Sequence, residues 1–185
     1  WNNVDLPAFA QSVKDEAIDG DWGLNGIDVD LESGMPSSVW AQTFIDLLNA
    51  LRGALGPMGT VNSKGVNISR LSAVGYVPSQ EQPIFEATGT ELDWMSTMAY
   101  WNTATGNEQL FDTYSQWVAN VNMGIGVNYQ PGQSTAIDQV AQAAQFAGQT
   151  DGAGMMEFLL NNDTPSISGK PEWTWASTIN DNMNG

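Results

Sequence analysis

The chain has 185 residues, 42% of them apolar, enough to build one domain with a real core, and its 21 Asp and Glu against 5 Lys and Arg give a formal charge of -16. Such a charge repels nucleic-acid phosphates and anionic lipid surfaces, so neutral or cationic partners are favoured. With no Cys and no His, thiol and Ser-His catalysis and most zinc sites are excluded, which leaves carboxylates as the acid–base groups.

In chain order, Leu6, Phe9, Val13 and Ala17 recur near a helical period and predict a helix over residues 4–18, with Pro7 where a first turn tolerates it. A turn at 20–26 leads into Ile27-Asp28-Val29-Asp30-Leu31-Glu32, whose alternation of apolar and acidic residues is strand periodicity. Val39, Phe44, Leu47, Leu48 and Leu51 form the stripe of a second helix, 38–55, stopped by Gly56-Pro57. Strands follow at 71–77 and 92–100 with only a weak helix signal between them, then a helix at 109–121, a strand at 123–128, a helix at 136–146 and a strand at 155–160. This alternation describes parallel β/α units, because a parallel neighbour needs a crossover of about a dozen residues or more. A dinucleotide-binding sheet would carry G-x-G-x-x-G after an early strand; none is present, and Gly152-Ala153-Gly154 precedes a strand instead. No apolar stretch reaches the roughly 20 residues that a membrane-spanning helix needs.

Asp28, Asp30 and Glu32 occupy alternate positions of one strand, so they share a face with neighbours about 7 Å apart, and Ile27, Val29 and Leu31 share the other. Gly26 and the apolar neighbours place this as a central strand, although a solvent-exposed edge strand can carry the same pattern. Three carboxylates in one crevice repel one another, which raises the pKa of at least one and keeps a proton available near neutral pH. Glu32, the longest and nearest the strand's C-terminal end, is best placed to protonate a leaving-group oxygen, and active sites of parallel barrels lie at that end. An acidic strand can also bind Mg²⁺ or Ca²⁺, but ligands on one strand coordinate poorly, and residues 19–30 lack the EF-hand spacing.

Asn25-Gly26-Ile27-Asp28-Val29-Asp30-Leu31-Glu32 resembles the D-G-x-D-x-D-x-E signature of glycoside hydrolase family 18, the chitinases and endo-β-N-acetylglucosaminidases, with only Asn25 departing. Met98-Ala99-Tyr100 resembles that family's sixth-strand M-x-Y motif, but Trp101 stands where the family has Asp or Asn, and Asn102 comes one place later. The strand that begins at Met155 resembles the eighth, with Phe158 in place of the tryptophan that floors the cleavage subsite. The resemblance implies a (β/α)8 TIM barrel of which this chain supplies strands 4 to 8, as one incomplete domain over residues 1–185.

It further implies cleavage of β-1,4 linkages in N-acetylglucosamine-containing glycans such as chitin, with retention. Glu32 would protonate the glycosidic oxygen while the substrate's own acetamido oxygen attacks the anomeric carbon. Asp30 would orient the acetamido group and stabilise the oxazolinium intermediate, Asp28 would share a proton with Asp30, and Tyr100 would hold the acetamido carbonyl. Met98, Trp101, Asn102 and Phe158 would contact substrate, and neither cofactor nor metal is implied. Barrels of this family also persist as lectins that bind glycans without cleaving them, which stays open as the alternative.

Strands 1 to 3 and the family's third-strand S-x-G-G motif find no counterpart, and Trp1-Asn2-Asn3 looks like what would follow that motif. An N-terminal barrel fragment or another chain is therefore expected to cover the open edges. A secreted, extracellular protein is expected; the missing signal peptide fits a mature or trimmed chain. Trp22, Trp40, Trp117, Trp173 and Trp175 could line a glycan cleft, although Trp40 and Trp117 sit at helical positions and read as core.

Overall fold

The computed structural model describes residues 3–32, 37–119, 121–126, 134–151 and 154–185. Its elements run α1 (Leu6–Ala17), β1 (Gly26–Asp30), α2 (Ser37–Leu55), β2 (Arg70–Gly75), α3 (Pro78–Thr88), β3 (Trp94–Thr97), α4 (Ala104–Tyr114), β4 (Val121–Gly126), α5 (Ile137–Gln149), β5 (Gly154–Phe158), α6 (Pro165–Ser168) and α7 (Thr174–Met183). They form two compact units, Trp1–Met95 with Trp117–Ala119, and Ser96–Gln116 with Asn120–Gly185. Trp1, Asn2, Val127, Asn128, Gly152 and Ala153, which carried parts of the expected pattern, lie outside the described residues.

In the first unit, α1 begins where Asp5 Oδ1 accepts the N–H of Ala8 at 3.1 Å, with Pro7 in the first turn costing no helical bond. Its buried residues are Ala10 and Ala17, flanked by half-buried Leu6 and Val13; Phe9 is exposed, so the predicted stripe is right at three positions and wrong at one. Of the predicted α2 stripe Phe44, Leu47, Leu48 and Leu51 are buried, joined by Leu55, whereas Val39 is exposed, and Trp40 meets Phe44 edge-on at 5.4 Å. The α2 helix packs against α1, α3 and β2. Where the helix signal was weak, α3 forms with Pro78 in its first turn and Pro83 inside, and it buries Ile84 and Phe85.

β1 and β2 pair in parallel, with Asp28 opposite Ser72 and Asp30 opposite Val74. The strand order of this unit is β1-β2-β3, so among the described residues β1 ends the sheet and β2, buried from Leu71 to Gly75, is the interior strand. Within this sequence β1 thus has one strand neighbour, β2, where its pattern suggested a central place. Gly26 instead answers a close backbone approach, since a Cβ there would lie 2.2 Å from the Arg70 carbonyl oxygen.

In the second unit β4 and β5 are parallel, with Ile125 opposite Glu157 and Gly126 opposite Phe158. The α4 helix begins five residues earlier than its apolar spacing suggested, at Ala104 rather than 109, because Thr103 caps it by accepting the N–H of Gly106 at 3.2 Å. Val121, expected at the end of that helix, opens β4. The α5 helix buries Val140, Ala143, Ala144 and Ala147 and packs on β4, β5, α4 and α7.

α7 had no sequence signal. Its cap position is Trp173, at φ 61° and without a capping side chain. Asp163 does that work from ten residues upstream: Oδ1 accepts the N–H of Thr174 at 2.9 Å, and Oδ2 those of Trp175 and Ala176 at 2.8 and 3.1 Å. Trp175, expected among the exposed aromatics, is buried and donates from Nε1 to the Thr135 carbonyl at 2.9 Å. Among the described residues no helix is long and apolar enough to cross a membrane.

Candidate active site

The first unit holds the acidic strand. Alternation turns Val29 and Leu31 inward, at 8% and 3% exposure, and leaves Asp28, Asp30 and Glu32 on the exposed face. Glu32 lies two residues past the last paired residue of β1, but Leu31 still donates to the Val74 carbonyl at 3.1 Å, which keeps the chain straight to that point. Asp28 is anchored by the neighbouring strand, its Oδ1 accepting from Ser72 Oγ at 2.5 Å. Ser72 is 2% exposed and faces Asp28 in the ladder, so this bond is a consequence of register.

Asp30 has its pKa raised above the usual aspartate value, first because the strand environment withdraws part of its carboxyl from water, then through the charge of Glu32, then that of Asp28. By area Asp30 is still exposed, so the displacement is upward but water keeps it in check. With this bias Asp30 holds a proton more readily than an isolated aspartate does, which suits acid–base chemistry. Among the described residues no group of three or more acidic side chains is placed to hold a metal ion.

The second unit holds the aromatic candidates. Tyr100 and Phe158 stack with ring centroids 5.1 Å apart and planes 19° from parallel, and Trp101 meets Tyr100 edge-on at 5.6 Å. Tyr100 is buried, Phe158 and Trp101 are exposed, so the cluster offers water a face of two rings backed by a third. The backbone at Tyr100 is held by Thr135, whose Oγ1 donates to the Tyr100 carbonyl and whose own carbonyl receives Trp175 Nε1. Met98 is half-buried just after β3, and Asn102 sits in the turn before α4 with its N–H on the Ala99 carbonyl at 3.3 Å.

Sequence reasoning missed Ser72 as the anchor of Asp28, and it missed Glu157. No local pattern marks Ser72; only the β1–β2 register does. Glu157 sits on β5 with Oε1 buried and, among the described residues, without a hydrogen-bond partner. Its pKa is raised from 4.5 to about 7, chiefly by burial and then by the charge of Asp163. Below pH 4.5 the group is protonated folded or unfolded and adds nothing; as pH rises to about 7 the unfolded chain ionises first, so stability falls across that window. Glu157→Gln is expected to remove that fall, about 1–2 kcal/mol after allowing for solvent screening. Urea midpoints of both proteins at about pH 4.5 and about pH 8 check it: the variant should gain on the wild type only at the higher pH.

No protein-family model and no curated protein matches the sequence. Among solved structures, the chain is similar to PbGH5A, a glycoside hydrolase family 5 enzyme from Prevotella bryantii B14, in a mutant form in complex with a xyloglucan tetradecasaccharide. The TM-score is 0.54 at 11% identity, over 97% of this chain and 62% of that chain. At that identity the likeness bears on the fold alone, a mixed α/β chain with a parallel sheet like that of a glycoside hydrolase, and the chain spans 62% of that neighbour.

Proposed function

We propose that this chain is catalytic machinery of a glycoside hydrolase that cleaves β-1,4 linkages in N-acetylglucosamine-containing glycans with retention, as in family 18. In this reading β1 to β5 are strands 4 to 8 of a (β/α)8 barrel. The observation that carries it is the row Asp28, Asp30 and Glu32 on one face of β1, with Asp28 tied to Ser72 and the pKa of Asp30 raised by its neighbours. The fold likeness to a glycosidase supports the broad class.

Glu32 gives its proton to the glycosidic oxygen as the bond from that oxygen to the anomeric carbon breaks. The electron pair replacing it comes from the substrate's acetamido oxygen, so an oxazolinium forms and the enzyme supplies no nucleophile. A carboxylate fixed beside this developing cation stabilises it better than mobile water does, which is the role of Asp30. Asp28, oriented by Ser72, takes up the proton that Asp30 must share. Water then attacks the anomeric carbon, gives its proton to Glu32, and restores the acetamido group.

A second reading, glycan binding without cleavage, is favoured by the aromatic face of Tyr100, Phe158 and Trp101, which could stack on a sugar with no carboxylate involved. Incubation with a chitin oligosaccharide and, separately, with a xyloglucan oligosaccharide tests both. New reducing ends from the first substrate alone are expected. Saturable binding without new ends would favour the lectin reading, and cleavage of xyloglucan alone would overturn the acetamido-assisted mechanism, because that glycan has no acetamido group to attack.

A further inference from the structure

Along the β1–β2 ladder Asp28 faces Ser72 and Asp30 faces Val74, and the Leu31 bond to Val74 carries the pairing past the end of β1. Two residues further on each chain stand Glu32 and Tyr76, which alternation assigns to the same face. Exposure along that side of β2 rises from 2% at Ser72 to 9% at Val74 and 49% at Tyr76. A large aromatic therefore opens to water where the row of carboxylates ends at its proposed proton donor.

The backbone under this side chain is pinned. Glu81, 1% exposed within α3, accepts the N–H of Tyr76 at 2.9 and 3.1 Å on its two carboxylate oxygens, and the N–H of Val77 at 2.9 Å. The carboxylate fits because residue 75 is glycine: a Cβ there would lie 2.5 Å from Glu81 Oε2 and 2.7 Å from Met95 Cε. Burying a carboxylate is costly, and charge-assisted bonds to two consecutive amides at the strand end help to offset that cost.

We infer that Tyr76 is a glycan-contacting residue of the carboxylate site, its ring stacking on the sugar beside the one Glu32 protonates, with Glu81 as the positioning residue that fixes it. The inference rests on the glycosidase reading. An aromatic face complements the C–H face of a pyranose, and a ring on a pinned backbone loses little freedom when a sugar settles on it. The phenol adds a hydroxyl that can exchange hydrogen bonds with sugar hydroxyls.

The test uses a chitin oligosaccharide, with steady-state kinetics on the wild type, Tyr76→Ala, Tyr76→Phe and Glu81→Gln, and calorimetric binding to each change in a Glu32→Gln background. Tyr76→Ala is expected to raise KM and Kd about tenfold, more than it lowers kcat, and Tyr76→Phe, which keeps the ring, about two- to threefold. Glu81→Gln should raise KM about threefold on its own and have no effect once Tyr76 is Ala, since it acts through that residue. Unchanged KM and Kd in Tyr76→Ala, with its melting temperature intact, would overturn the assignment while the glycosidase reading stood. Binding that weakens in Tyr76→Ala, from a wild type that cleaves nothing, would overturn the glycosidase reading and keep Tyr76 as a glycan contact. Neither binding nor cleavage by the wild type overturns both.

Discussion

Glu32→Gln is expected to lower turnover of a chitin oligosaccharide by about 10²–10⁴-fold, the range a positioned general acid contributes, while glycan affinity stays within about threefold. Gln keeps the length and shape of the side chain but cannot deliver a proton to the glycosidic oxygen, and cannot take one from the incoming water. Glu32 is exposed and lies past the end of β1, so the change removes no buried contact and the melting temperature should hold. Calorimetric affinity and single-turnover kinetics separate the two effects. A variant that loses binding along with turnover would show Glu32 holding substrate, and near-normal turnover would remove it from the chemistry. Because the oxazolinium route needs no enzyme nucleophile, formate or azide supplied to the variant should not yield a product of inverted configuration, as it could where a lost carboxylate had been the nucleophile.

The acidic row could be read from the sequence because a strand alternates its faces: three acids at i, i+2 and i+4 share a side whatever surrounds them. What lay beyond reach was everything that depends on a second strand. Ser72 becomes the partner of Asp28 only through a register joining residues 44 apart, and the inferred place of Tyr76 beside Glu32 extends that same register by two residues. Helices with strong stripes, α2 and α5, were legible to within a few residues. The α4 helix was displaced because its start is marked by the Thr103 cap rather than by apolar spacing. Missing α7 has a different cause: its first turn is satisfied by Asp163 from outside the helix, so nothing beside Trp173 announces it. Trp175 was misjudged for a related reason, since a composition rich in tryptophan says nothing of which indoles find a buried acceptor such as the Thr135 carbonyl. β1, β2, β3 and β5 end earlier than predicted, and Glu32 and Tyr76 follow the ends of β1 and β2, where chain freed from the ladder can present side chains to a ligand.

Arg52→Met is expected to destabilise the protein by about 3–5 kcal/mol, the cost of breaking a buried ion pair from one side. The guanidinium joins three parts of the first unit: Nη2 bonds Asp93 Oδ2 at 2.9 Å and the Glu91 carbonyl at 2.6 Å, Nε bonds the same carbonyl at 3.0 Å, and Nη1 bonds the carbonyls of Ser69 at 2.7 Å and Gly56 at 3.1 Å. Side-chain exposures of 8% for Arg52 and 16% for Asp93 mean that water cannot replace what is lost. Met keeps the stem and its packing in α2, so the measured loss reports the polar contacts. The contact from Nε to the Glu91 carboxylate, at 3.9 Å with that side chain 45% exposed, adds little. Lys14 and Asp19 provide the contrast, an ion pair at the surface with side chains 21% and 47% exposed, where Lys14→Met should cost less than about 1 kcal/mol. Urea unfolding of the two variants at equal ionic strength gives both numbers, and equal losses would refute the assignment of Arg52 as the hub. Asp93 Oδ2 also accepts the N–H of Leu71 at 2.8 Å, one residue before Ser72. Amide exchange at Leu71 should therefore accelerate in Arg52→Met more than exchange within α1 does, because a carboxylate that has lost its guanidinium no longer holds the start of β2 in place.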